Sequence, residues 1–257
     1  MNILKQTQQQ ILSETTDDTL SYIVEIPDTR LENVVLQPDT LKGLQDFLAN
    51  IDAIRSARRQ LGLTRTIDYG RSILVLLHGP TGTGKTMTAR ALANHAQQPL
   101  VTFRRTHGYE PDQSFQKQLA TFLEELGRNG GFGLIDECQT YLREDDSDLD
   151  DFLAEIEQHD VILFLATTRP EVLGAALDRR IGYKVAMTQP TPEQRRQIWQ
   201  NLLPPAMPLA DDVDLHHLAQ AFNLNGGYIK NAVLHAVNMA VIRDAEAAHL
   251  TMDDLTR

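Results

Sequence analysis

The chain has 257 residues, 42% of them hydrophobic, which is enough apolar material for one large domain or two smaller ones around a buried core. Its formal net charge of -11 argues against a general nucleic-acid binder, whose phosphate contacts need a basic surface, but leaves room for a local basic patch. Cys138 is the only cysteine, so no internal disulfide can form; no signal-peptide core or membrane-length apolar run occurs, and the expectation is a soluble, cytoplasmic protein with no membrane partner.

Residues 1–18 are rich in Gln, Thr and Asp and read as a loosely ordered terminus, with a docking segment as the alternative. Leu20, Tyr22, Val24 and Ile26 alternate with polar residues, which predicts a short strand before Pro27. Leu41, Leu44, Leu48, Ile51 and Ile54 recur at helical spacing, with Asp39 as the expected N-cap. Strand formers Ile73 to Leu77 then lead into Gly79-Pro80-Thr81-Gly82-Thr83-Gly84-Lys85-Thr86, which fits the phosphate-loop pattern G-x-x-x-x-G-K-[ST]. A helix-forming run from Thr86 through Met87 to Ala93 leads out.

That context is what the chemistry requires. Gly79, Gly82 and Gly84 let the backbone wrap with its N–H groups inward, and the helix N-terminus adds its positive dipole end. Lys85 supplies a mobile charge for the β- and γ-phosphates, and the Thr86 hydroxyl is placed to ligate Mg²⁺.

A second strand is expected over Pro99–Phe103, followed by a helix with Phe115, Leu119, Phe122 and Leu126 on one face, capped by Asp112 and ended by Gly127. Phe132 to Ile135 is the third strand and runs into Asp136-Glu137. The acidic run Glu144 to Asp151 reads as a solvated loop and helix start, continued by Leu149, Phe152, Leu153 and Ile156. Val161 to Ala166 is a fully apolar strand, as in a parallel sheet covered on both faces, and Tyr183 to Met187 is the fifth. Strand–helix alternation gives a doubly wound α/β fold. From Thr191-Pro192-Glu193-Gln194, a capping-box helix start, only helices are expected, Thr251 to Asp254 opening the last.

In such a sheet the strand ends line the ligand crevice. Asp136 is suited to holding Mg²⁺, through water, and Glu137 to orienting or deprotonating the attacking water. Thr168, in Ala166-Thr167-Thr168-Arg169-Pro170, is placed to sense the γ-phosphate or help position that water. Arg179-Arg180 is either a solvated face or an arginine finger reaching a neighbouring subunit's nucleotide. Cys138 reads as a small packed side chain, Trp199 as core, and His216 and His217 as surface residues.

Taken together, GPTGTGKT, GLIDE, ATTRP, ALDRR and NGGYIKNAV resemble the AAA+ ATPases, and ATTRPEVLGAALDRR resembles the second region of homology of the AAA subgroup. The resemblance covers roughly residues 31 to 257. It implies an α/β fold with a five-stranded parallel P-loop NTPase sheet domain over 31–188 and a C-terminal α-helical lid over 189–257, after an N-terminal segment over 1–30. By position it makes Lys85 and Thr86 the Walker A pair, Asp136 and Glu137 the Walker B pair, Thr168 the sensor-1 residue where the family usually has Asn, and Arg179 and Arg180 the arginine fingers. Gly79 through Met87, with Gly226 and Gly227, would contact nucleotide, and adenine would lie between the linker near Val34-Val35 and the lid. The position of the family's pore loop, near His107 to Glu110, lacks the aromatic–hydrophobic–glycine triplet of polypeptide-threading rings. The chain also resembles compact bacterial and phage-type AAA proteins, including the ATPases that accompany contractile injection systems.

The function this implies is hydrolysis of ATP to ADP, with Mg²⁺, by a homo-oligomeric ring, a hexamer by expectation, that remodels a protein partner. A nucleic-acid-associated ATPase is the alternative, supported only by Arg55, Arg58, Arg59, Arg65 and Arg71 with Arg104 and Arg105. A nucleotide-gated binding module with little turnover is the third reading, prompted by Thr168.

Overall fold

The computed structural model describes residues 21–61, 71–105, 114–245 and 248–257. The N-terminal 1–18, Arg65, the loop at His107 to Glu110 and the expected cap Asp112 lie outside the described residues. The chain divides into two units, one built from Asp39–Gly79 and Lys85–Ala186 with the residues before Glu32, the other from Glu32–Pro38, Pro80–Gly84 and Met187–Arg257.

The first unit is a six-stranded sheet with helices. Its strands are β1 (Tyr22–Glu25), β2 (Ile73–His78), β3 (Leu100–Phe103), β4 (Phe132–Ile135), β5 (Ile162–Thr167) and β6 (Ile181–Ala186), in the spatial order β1-β3-β4-β5-β2-β6. The five strands from β2 to β6 pair in parallel, as expected. β1 adds a sixth, antiparallel, with Tyr22 opposite Phe103 and Glu25 opposite Leu100. Its attachment is reinforced by Ser21, whose hydroxyl donates to Gln118 O at 3.0 Å, and by Glu25, which pairs with Arg90 at 2.8 Å. Strands β4 and β5 are buried at every position, and β2 at all but His78, which is what a sheet covered on both faces requires.

Among the described residues the helices here are α1 (Pro38–Ala49), α2 (Ile51–Gln60), α3 (Lys85–His95), α4 (Phe115–Asn129) and α5 (Ser147–Ile156), with a short α6 (Gly174–Asp178). The single helix expected across Leu41 to Ile54 is broken at Asn50, whose side-chain amide donates to Asp46 O at 2.7 Å and so competes for a helix carbonyl. Asp39 sits inside the first turn of α1 rather than capping it. Helix α4 starts on Ser114, whose hydroxyl accepts from Lys117 N, and it runs past Gly127 to Asn129. Gly130, at φ 66°, ends it, because that left-handed position suits glycine. Gly133 allows α4 to lie close: a Cβ there would meet Leu126 and Leu163 at 2.6 Å.

The core under this sheet gathers Val101, Phe103, Phe122, Leu126, Ile135, Leu163 and Leu165, with Cys138 among them. Phe103 packs edge-on to Phe115, Phe122 and Tyr141.

The second unit holds helices α7 (Pro192–Leu202), α8 (Leu215–Ala221), α9 (Gly226–Arg243) and α10 (Met252–Thr256). The capping box is formed as expected: Thr191 N donates to Gln194 Oε1 at 2.9 Å and Gln194 N to Thr191 Oγ1 at 3.3 Å. A second box, Thr251 with Asp254, opens α10. Trp199, Leu218, Ile229, Val233, Ala236 and Leu255 form this unit's own core. Arg195, only 6% exposed, ties its segments together by donating to the backbone oxygens of Ala219 and Pro190 and to the side-chain Oδ1 of Asn223 at 2.7 to 2.9 Å. No helix among the described residues is long and apolar enough to cross a membrane.

Candidate nucleotide site

Strand order decides what meets what in the first unit. β4, β5 and β2 are neighbours, and their parallel register aligns Ile135 with Leu165 and His78 with Thr167. The residues that follow these strands therefore emerge side by side at the C-terminal end of the sheet. Gly79 N donates to Thr167 O at 3.2 Å, fixing the start of the phosphate loop against the end of β5.

Lys85 opens α3 and is 6% exposed, with its ammonium donating to Gly79 O at 2.9 Å. Burial pulls its proton affinity below that of a surface lysine, opposed by the negative charges of Glu137 and Asp136. The Thr86 hydroxyl donates to Asp136 Oδ2 at 2.6 Å, so the two residues picked out 50 positions apart do meet. Asp136 Oδ1 accepts from Glu137 N at 2.9 Å, which orients the carboxylate from both sides. Glu137 itself takes a left-handed backbone, φ 48°, and its carboxylate is exposed. A hydroxyl beside a carboxylate suits a hard divalent cation that keeps water and phosphate ligands, and a buried ammonium alongside suits phosphate. The donor set fits Mg²⁺ with a nucleoside triphosphate.

Thr168, half-buried beyond β5, accepts from Gln139 Nε2 at 3.3 Å. Gln139 also bonds Glu137, which the sequence reading passed over; it stands two residues after the acidic pair, with nothing in its spacing to mark it.

In the second unit, the loop tip Pro80–Gly84 meets the start of α9. Asn225 caps α9 by accepting from Tyr228 N at 3.0 Å and also donates to Thr81 O at 3.0 Å. Gly227 N donates to Gly82 O at 3.3 Å. Gly82 has φ 78°, and a Cβ on it would lie 2.4 Å from Asn225 Oδ1, so both its backbone angle and its neighbour demand glycine. Gly226 and Gly227 thus stand beside the loop tip; Asn225 was missed, though an Asn before a helical run is an N-cap signal.

The two arginines part company. Arg180 binds Glu157 through Nε at 3.1 Å and Nη2 at 2.6 Å and donates to Ala176 O, so its guanidinium is engaged within its own chain. Arg179 is exposed and has no side-chain partner among the described residues. Of the basic residues behind the nucleic-acid alternative, Arg105 is paired with Asp148 at 2.6 Å and lies over the Phe115 ring.

Cys138 is fully buried, and burial pushes its thiol up to about 12. At pH 8 the thiol therefore stays protonated and unreactive. The folded protein is expected to resist iodoacetamide at that pH while the unfolded chain is alkylated, read as intact mass.

Two family models match. Residues 75–189 match the ATPase family associated with various cellular activities (AAA), and residues 191–256 match the contractile injection system ATPase helical domain. Among curated proteins, ATP-dependent zinc metalloprotease FtsH 1 of Rhodopirellula baltica is 34% identical over 209 residues, covering 71% of this chain and 30% of that protein. Proteasome-activating nucleotidase of Methanopyrus kandleri is 34% identical over 243 residues, 85% of this chain and 54% of that one. The corresponding nucleotidase of Methanocella arvoryzae is 33% identical, with 66% and 45% covered. The chain thus spans about a third to a half of the length of these relatives.

Proposed function

Because this chain belongs to the AAA+ ATPases and is an ATP hydrolase of that family, we propose that it works as a ring, hexameric by our reading, that hydrolyses ATP at its subunit boundaries to remodel a protein partner. The observation that carries the reading is the Thr86–Asp136 hydrogen bond with Glu137 next in the chain. It joins a phosphate-loop hydroxyl to the acids of a separate strand, an arrangement that hydrolysis needs and a glycine-rich turn does not.

In this proposal Gly79 to Met87, with Gly226 and Gly227, hold the nucleotide, and Lys85 neutralises its terminal phosphates. Thr86 and Asp136 would hold Mg²⁺, which when bound offsets the charge that builds on the phosphate oxygens. Glu137 accepts a proton from the attacking water, and Thr168 helps place that water. The organisation proposed is an N-terminal segment over 1–30, a nucleotide-binding domain over 31–188 and a helical lid over 189–257. The partner is proposed to be a protein, as the names of the relatives suggest, and the helical-domain match favours a component of a contractile injection apparatus. A cytoplasmic location is part of the same proposal.

The arginines give a test specific to the ring. Arg179→Ala is expected to lower ATPase activity at least tenfold with an unchanged melting temperature, because its exposed guanidinium has no side-chain partner among the described residues. Arg180→Ala instead removes charge-assisted bonds to Glu157 and should cost about 2 kcal/mol of stability. Equal thermal losses in both variants would count against a role in trans. The assembly itself is tested by native mass measurement with and without ATP, alongside phosphate release as a function of protein concentration. A strict monomer with a concentration-independent rate would end the ring proposal.

A further inference from the structure

Two residues after the proposed base, Gln139 links three groups at the C-terminal end of the sheet. Its side chain reaches from the turn after β4 to the end of β5, where the hydroxyl of the fully buried Thr167 donates to Gln139 Oε1 at 2.6 Å. A threonine hydroxyl has one proton; this oxygen accepts from Arg169 N at 3.0 Å and also neighbours the buried Cys138 thiol, which keeps a proton of its own, so the hydroxyl proton goes to the shorter contact, Gln139. That commits the carbonyl end of the amide to Thr167. The amino end must then face the other way, and there its two hydrogens have two acceptors, Glu137 Oε2 and Thr168 Oγ1.

Glu137 needs such a hold. Its carboxylate is exposed, and three freely turning side-chain bonds separate it from the backbone. Among the described residues, the hydrogen bond to that carboxylate comes from Gln139. The bond occupies Oε2 of an otherwise exposed side chain.

We propose that Gln139 is the positioning residue for Glu137: the buried hydroxyl of Thr167 sets the direction of the Gln139 amide, and the amide sets the carboxylate of the base together with Thr168. The proposal rests on reading Glu137 as the base. It gives the end of β5 a way to act on the proton acceptor without touching substrate. Misplacing a catalytic group by about 1 Å can cost a hundredfold in rate, and partial loss of a tether costs less.

The test is kinetic, with a second readout that needs no turnover. Gln139→Ala is expected to lower kcat about tenfold while the dissociation constant for a fluorescent ATP analogue stays within twofold. Gln139→Glu keeps an acceptor for Thr167 but loses both donor hydrogens and sets carboxylate against carboxylate, so its kcat falls at least as far. Thr167→Val lowers kcat in the same sense and Thr167→Ser restores it. Because Thr167 acts through the amide, the double variant Gln139→Ala/Thr167→Val should match Gln139→Ala alone. Parental kcat in Gln139→Ala, affinity falling in step with kcat, or multiplying losses in the double variant would each overturn the proposal. In the ¹⁵N-labelled protein, the Gln139 side-chain amide resonance should shift in both Glu137→Ala and Thr167→Val; a resonance indifferent to either sinks the proposal even if turnover is slow. Failure of the underlying reading looks different: Glu137→Gln would hydrolyse ATP at the parental rate whatever Gln139 does.

Discussion

Glu137→Gln is expected to stop turnover and leave nucleotide binding in place, with kcat lowered at least about a hundredfold. The substitution preserves size and keeps an oxygen for the Gln139 amide. It leaves the Thr86–Asp136 bond and the Glu137 N bond to Asp136 untouched. What it removes is the ability to accept a proton. Phosphate release under saturating ATP, set beside the affinity for a fluorescent ATP analogue, separates the two effects. Turnover equal to the parent's would take the role of base away from Glu137.

Lys85→Ala is expected to act on the other quantity. Charge-assisted hydrogen bonds of an ammonium to phosphate contribute about 1.5–3 kcal/mol, so ATP affinity should fall roughly ten- to a hundredfold. The fold should tolerate the change. Burial already disfavours the charge of Lys85, which limits what the variant gives up in the folded chain. Equilibrium titration measures the first effect and a thermal melt the second. Undiminished affinity would remove the phosphate loop from the proposed site; lost affinity together with a collapsed melt would show that Lys85 serves the fold instead.

Much of this was legible before any coordinates. The phosphate loop is a contiguous pattern, and Asp136-Glu137 follows an apolar strand, so spacing and periodicity suffice to find both. The parallel strands announce themselves because burial on both faces leaves unbroken runs such as Ile162 to Ala166. Capping boxes are equally local, and Thr191 with Gln194 forms one. What escaped depends on contacts between distant segments or on a competition between similar local signals. Gln139 acquires its role only because β5 lies beside β4, and Asn225 because the loop tip meets α9. Arg179 and Arg180 are chemically alike in the sequence; the reach of Arg180 to Glu157 on another segment separates them. Asn50 broke a helix whose apolar spacing ran straight through it, because periodicity reports which face is buried and is blind to a side chain capturing a carbonyl.

The antiparallel strand β1 has a practical consequence. The AAA match begins at residue 75, far beyond it, yet β1 supplies the neighbour along the outer side of β3. A truncation that starts after β1 but keeps β2 whole would bare the outward-facing amides and carbonyls of β3, a short edge open to strand pairing between molecules. A fragment begun at residue 75 would lose Ile73 and Leu74 of β2 as well, so only the fragment that keeps β2 isolates the effect of the missing neighbour strand.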